Sequence, residues 1–142
     1  MDEARSNNVG ELIRRHRVRY EVNPYYVLAR DQRVLSGFDI ELYGTNLFGA
    51  GRWLPGNEQS VETYRDLHRI AEWILPKVNG RIKCEILPYD NAVHACAKSH
   101  MEPEVLLTVR ISHFDGLIQP ANEEQEECVR EARLRLSEVG IV

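Results

Sequence analysis

Alternation of apolar and polar residues is the feature that most constrains the fold of this chain of 142 residues. It is clearest over residues 105–112, where Val105, Leu107, Val109 and Ile111 occupy every second position. A period of two is typical of a strand with one buried face. Weaker versions of the pattern occupy residues 18–28, 38–43, 82–86 and, over a short stretch, 92–97. The chain is therefore predicted to build its core around a β-sheet.

The first two of these segments are predicted to form a hairpin, with its turn in the sequence ARDQR at residues 29–33. Pro24 interrupts the first segment. Because proline has no N–H to donate to a ladder, that strand must lie at a sheet edge or break there. Ser36 and Gly37, which precede the second strand, indicate a β-bulge.

Two helices are predicted in addition to the sheet. The first covers residues 61–75, and Ser60 is a suitable N-cap for it. Its apolar face, with steps of three and four, consists of Val61, Tyr64, Leu67, His68, Ala71, Ile74 and Leu75. The second helix covers residues 122–139, where Asn122 and Gln125 have the spacing of a capping box.

The order of elements predicts a single α+β domain over residues 1–142, with two strands, a helix, three strands and a helix. We expect a two-layer sandwich, in which both helices cover one face of a mainly antiparallel sheet of about five strands. Residues 1–10 are expected to be disordered, and residues 11–16 to form a helical turn or to lead into the first strand. Charged residues that pair across strands would occupy the other face: Arg19, Glu21, Asp39, Glu41, Arg81, Lys83, Glu85 and Arg110.

Composition argues against several classes of partner. A net charge of -4 disfavours nucleic acid binding, so the basic run RRHRVR at residues 14–19 is interpreted as a solvated segment. No stretch approaches the roughly 20 apolar residues that cross a bilayer, and the first residues lack a signal-peptide pattern. The three cysteines have no paired spacing, which suits a reducing compartment. We therefore expect a cytoplasmic protein that binds neither nucleic acid nor membrane.

The stretch TNLFGAGRWLPGN, residues 45–57, places large apolar side chains among glycines and a proline. Loops longer than about 12–15 residues without regular structure are often lids or binding loops. Four residues of this loop are the candidates for binding a ligand or partner: Phe48, Arg52, Trp53 and Leu54. In the alternative interpretation, the aromatic side chains plug one end of the core or form a homodimer contact.

No motif in the sequence indicates a cofactor. The loop's glycine pair, residues 49 and 51, lacks the third glycine of the dinucleotide fingerprint and the lysine of a P-loop. Five residues have side chains that could hold zinc: Cys84, His94, Cys96, His100 and His113. They lack the closely spaced pair of a structural zinc site, and Cys84 lies in an apolar alternation, where an inert buried thiol is expected. We expect no metal and no other cofactor.

These observations favour a noncatalytic binding module, dimeric in solution, which holds an apolar or amphipathic ligand or a protein partner through the 45–57 loop. No serine or cysteine lies in a recognisable nucleophile turn. One alternative is a small enzyme with His94, Asp39 or Glu41 as the acid or base under that loop. Another is an acidic chaperone-like or adaptor dimer.

Overall fold

The computed structural model describes residues 2–45, 58–75, 81–87, 93–94, 104–114 and 119–140. Within these ranges the helices are α1 (Asp2–His16), α2 (Glu58–Ile74) and α3 (Glu123–Glu138). The strands in the same ranges are β1 (Arg19–Ala29), β2 (Gln32–Thr45), β3 (Ile82–Ile86), β4 (Val93–His94) and β5 (Glu104–His113).

The strands form one antiparallel sheet in the order β1-β2-β5-β3, and the short β4 also pairs with β5. Because β3 and β4 pair with opposite halves of β5, the five strands occupy only four positions across the sheet. All three helices contact β2, and α2 and α3 also contact β5. The predicted α+β sandwich with an antiparallel sheet is therefore confirmed, with one more helix than expected.

The alternation that predicted the strands also sets their register. Ile40 lies opposite Val109 and Leu42 lies opposite Leu107, and all four side chains are at most 1% exposed beneath the helices. A shift of one residue would turn this whole set to the other face, so the buried face fixes the pairing of β2 with β5. We call the side of the sheet that carries these residues the core face.

The predicted bulge is confirmed and it anchors α3. Tyr25 pairs with Gly37 whereas Tyr26 pairs with Leu35, so Ser36 is the extra residue. The carbonyl oxygen of Ser36 accepts a 2.6 Å hydrogen bond from Nε2 of Gln125. The same glutamine completes the predicted capping box, because its Oε1 accepts from the backbone N–H of Asn122 at 2.8 Å.

The first residues differ from the sequence expectation, because α1 begins at Asp2. Val9, Leu12 and Ile13 are buried in the core, which supplies the tertiary packing that a short polar helix needs in water. The helix ends where Arg17 adopts a φ of 49° and the N–H of Val18 donates to the carbonyl of Ile13 at 3.0 Å. This is a Schellman ending, built here without glycine.

The predicted first helix is also displaced from its expected position. α2 begins at Glu58, so Ser60 lies inside the helix and is not its N-cap. Leu67, Ala71 and Ile74 are buried as predicted, but Ile70 and Asp66 belong to the buried face as well. His68 lies at the margin of that face and is half-exposed.

Candidate functional site

The candidate binding loop lies between β2 and α2. Residues 46–57, which include Phe48, Arg52, Trp53 and Leu54, lie outside the described residues, so their role stays a prediction. The point where the loop leaves the sheet is described. A Cβ atom on Gly44 would lie 3.1 Å from Leu67 Cδ2 and 3.3 Å from Thr63 Cγ2. The loop therefore starts from a backbone packed tightly against the helix that follows it.

A groove of about 480 Å³ runs between α1 and α2. Its floor is apolar and consists of Val9, Leu12 and Trp73. Its rim is polar and charged and consists of Asn8, Glu11, Arg15, Arg69 and Glu72. A volume of this size falls within the range of pockets that hold small molecules, and five of the eight lining residues are polar or charged.

A buried, hydrogen-bonded pair of side chains lies beside the groove and joins its two helices. Nε2 of His16 and Oδ2 of Asp66 share a 2.7 Å hydrogen bond, and both side chains are at least 94% buried. Arg15 and Arg69 approach the same carboxylate to 4.0 Å and 3.6 Å. Asp66 is thus surrounded by basic side chains from both helices, which holds α1 against α2.

Sequence reasoning missed this pair. His16 falls in the basic run that was interpreted as solvated. Asp66 was not among the residues predicted for the apolar face of its helix. A signal was present, because Asp66 lies four residues before Ile70 and three after Thr63, on the stripe that the structure buries. Including Ile70 in the apolar face would have placed Asp66 in the core.

The groove arginines have capacity to bind a further anion. Neither guanidinium lies within 3.5 Å of the Asp66 carboxylate, so their contacts with it are ion pairs without a hydrogen bond. Both side chains are well exposed, at 47% for Arg15 and 64% for Arg69. A carboxylate entering the groove can therefore accept hydrogen bonds from either arginine, a strong class of contact.

His16 is poorly placed for catalysis on a groove ligand. The residue is only 3% exposed, and a general acid or base must come within hydrogen-bond reach of the reacting group. Its hydrogen bond with Asp66 connects two helices, which makes it a positioning interaction.

The polar face of the sheet, opposite the core face, carries the charged residues that the sequence predicted there. Arg110 donates two hydrogen bonds to Asp39, from Nε at 2.9 Å and from Nη2 at 3.1 Å. This cross-strand pair raises the pKa of Arg110, chiefly through the hydrogen bond. Arg110 also lies 3.9 Å from the centre of the Tyr25 ring. The predicted cross-strand pairing is confirmed at this position.

Glu41 on the same face accepts hydrogen bonds from two neighbouring side chains. Tyr43 donates its hydroxyl to Oε2 at 2.9 Å, and Asn23 donates to Oε1. Burial, followed by this hydrogen bond to Glu41, raises the pKa of Tyr43. Asp39 and Glu41 thus each accept two hydrogen bonds from side chains of the sheet.

Part of the predicted cysteine and histidine cluster is described. Cys84 on β3 lies close to Cys128 on α3, and burial, followed by this neighbouring thiol, raises the pKa of Cys84 to about 12. Nε2 of His113 donates to the carbonyl of Pro120 at 3.0 Å, while its Nδ1 has no partner among the described residues. Cys96, His100 and the side chain of His94 lie outside the described part. No group of three metal-binding side chains occurs among the described residues.

Comparison with known proteins adds no assignment: no family model matches the chain, and neither a curated protein nor a solved structure is significantly similar to it. None of the helices in the described ranges combines the length and the apolar character needed to cross a membrane.

Proposed function

We propose that this chain is a cytoplasmic, noncatalytic binding module for an amphipathic ligand that carries a carboxylate. The observation that supports this most directly is the groove between α1 and α2, with its apolar floor and arginine rim. Trp73 and Leu12, each 9% exposed, form the apolar floor beneath the ligand body. Arg15 and Arg69 offer hydrogen-bond donors to its carboxylate. The buried His16–Asp66 pair fixes the spacing of the two helices that supply these groups.

The charges on the rim of the groove favour a ligand with a single carboxylate. Glu11 and Glu72 also lie on the rim, and Glu72 is engaged with Nδ1 of His68 at 3.1 Å. A long anion with charge at both ends would meet these carboxylates. A molecule with one carboxylate and an uncharged apolar body fits better, because it places its charge beside the arginines and its body over Trp73.

Decanoate is a suitable first probe, and decanol is its neutral counterpart. The chain has two tryptophans, so the Trp53→Phe variant leaves Trp73 in the groove as the single tryptophan reporter. We expect decanoate to change Trp73 fluorescence in a saturable manner, with decanol binding at least several-fold more weakly. Loss of one charge-assisted hydrogen bond is worth roughly 1.5–3 kcal/mol, so Arg15→Gln or Arg69→Gln should weaken decanoate binding about tenfold or more.

The matched control is Arg133→Gln, which removes an exposed arginine from α3, away from the groove. This change should leave decanoate affinity unaltered. Equal binding of decanoate and decanol, unchanged by both groove substitutions, would show that the groove does not recognise a carboxylate.

The 45–57 loop remains a separate part of the proposal. Its prediction is tested in the same titration with Phe48→Ala and with Trp53→Ala in place of Trp53→Phe. If those changes abolish binding while Arg15→Gln and Arg69→Gln have no effect, the ligand sits under the loop and not in the groove. The two sites are thereby distinguished by one set of measurements.

A further inference from the structure

The outer part of the β1–β2 hairpin extends beyond the rest of the sheet. β2 pairs with β5 only from Phe38 onward, whereas its pairing with β1 continues to the turn at Ala29 and Gln32. Residues 26–35 therefore form a two-stranded projection, which we call the arm. At its tip, Arg30 and Asp31 have φ angles of 50° and 64°, as in the tight primed turns that join hairpin strands.

The apolar core face of the sheet continues along the arm, past the part of the sheet that the helices cover. Arg110 stacks on Tyr25, which places that tyrosine on the polar face and its neighbour Tyr26 on the core face. Tyr26 is 42% exposed and Leu28 is 72% exposed. Both lie on the side that, closer to the body, packs into the core through Val22 and Phe38. Such an exposed apolar continuation of a core face is typical of an interaction surface.

The charge of the arm differs from that of its surroundings. It carries Arg30 and Arg33 against the single carboxylate of Asp31, in a chain whose net charge is -4. Arg33 lies 4.5 Å from the centre of the Tyr26 ring, so a cation borders the apolar stripe. A partner surface that combines apolar groups with carboxylates would complement it.

This same chain presents carboxylates directly beside the base of the arm. The N–H of Ala121 donates to the carbonyl of Leu35 at 2.7 Å, and Gln125 donates to the carbonyl of Ser36. These bonds fix the start of α3 against the arm. The first turn of α3 carries three exposed acidic residues: Glu123, Glu124 and Glu126.

We propose that the arm is a dimerisation element, which binds the acidic first turn of α3 in a second copy of this chain. An isologous interface requires two complementary surfaces within one patch, so that a two-fold axis brings each onto the other. The basic apolar arm and the acidic turn of α3 satisfy that requirement because they adjoin. None of the residues that line the α1–α2 groove belongs to the arm or to the first turn of α3, so this proposal does not depend on the proposed ligand site.

Sedimentation velocity over about 1–200 μM protein tests this interface. The full chain should sediment as a dimer of 16.4 kDa subunits, and Leu28→Asp should weaken dimerisation at least 30-fold because it places a carboxylate within the apolar stripe. The matched control is Leu134→Asp, which alters an exposed leucine, 64% exposed, in the second half of α3. It should leave the dimer intact.

A charge exchange tests the arm and α3 as partners. One variant carries Arg30→Glu and Arg33→Glu, and the other carries Glu124→Arg and Glu126→Arg. Each alone places like charges across both halves of the interface and should be monomeric, whereas an equimolar mixture restores attraction at both halves and should dimerise. Circular dichroism spectra matching the parent establish that each variant is folded.

Three results would overturn the proposal. The first is a full chain that is monomeric at 200 μM, and the second is a dimer that Leu28→Asp leaves unchanged, which would place the interface elsewhere. The third is a mixture of the two charge variants that stays monomeric, which would exclude α3 as the surface that receives the arm.

Discussion

Gly37 illustrates how a single residue controls the junction between the hairpin and the sheet. A Cβ atom at this position would lie 1.9 Å from the carbonyl oxygen of Ile111 and 3.0 Å from its carbon. The obstacle is backbone of the central strand β5, which cannot move aside as a flexible side chain can. The bulge at Ser36 and the absence of a side chain at Gly37 together allow the two strands to approach.

We therefore expect Gly37→Ala to destabilise the fold by about 2–4 kcal/mol, because the new methyl group forces β2 and β5 apart. Urea unfolding measures the change. Gly10→Ala is the matched control, since its Cβ would meet only ordinary contacts at 3.5 Å and 3.8 Å. Alanine is the better helix former, so this control should be neutral or gain about 0.5–1 kcal/mol. Similar losses in both variants would contradict this account of Gly37.

Cys84 and Cys128 show how burial raises the pKa of a thiol and so lowers its reactivity. Burial is the largest cause that raises the pKa of each thiol, and it brings that of Cys84 to about 12. The thiolate is the reactive form of cysteine. In the Cys96→Ser background, iodoacetamide at pH 8 should therefore modify Cys84 on the order of a thousandfold more slowly in the folded protein than in urea. Rapid modification of the folded protein would show that this thiol is accessible and ionised.

The same shift has a consequence for stability at high pH. The pKa of Cys84 in the folded protein lies above the ordinary thiol value of 9.0. The contribution of Cys84 to the free energy of unfolding is therefore complete below about pH 9 and is lost as the pH rises toward 12. The urea midpoint should fall over this window, and it should fall less in Cys84→Ala. An identical decline in both proteins would assign the effect to other groups.

At the scale of elements, α1 shows how a polar helix is retained. Its first residues give little apolar pattern, and its helical state depends on contacts with α2 and on the His16–Asp66 hydrogen bond. Residues 1–10 were expected to be disordered because they are mainly polar, and the residues of α2 that α1 packs against lie far away in the sequence. The capping box of α3 depends on residues three apart, and it was predicted correctly.

We expect Asp66→Asn to cost about 2 kcal/mol, because the amide loses the charge that faces His16, Arg15 and Arg69. Hydrogen exchange should show the loss concentrated in the amides of residues 9–16, with β5 least affected. Glu62→Gln, an exposed change on the same helix, is the control and should alter neither property. Uniform loss of protection across the sheet would mean that α1 is not held by this pair.

At the scale of the whole molecule, the strands were predictable because one buried face imposes a period of two on β2 and β5. Their pairing with each other was not, since alternation shows which face is buried but not which strand lies alongside. The groove was not predictable, since it forms where two helices distant in sequence lie side by side. Its floor joins Leu12 to Trp73, and only the packing of α1 on α2 brings them together. The arm was predicted as a hairpin, but its projection depends on where β5 ends.

The groove between α1 and α2 is the proposed binding site, and a ¹H–¹⁵N correlation titration with decanoate tests this proposal most directly. We predict saturable chemical-shift changes concentrated in residues 9–15 of α1 and 69–73 of α2. Arg69→Gln should lower the affinity for decanoate at least tenfold. Shifts confined to residues 45–57, or no saturable shifts at all, would contradict the account.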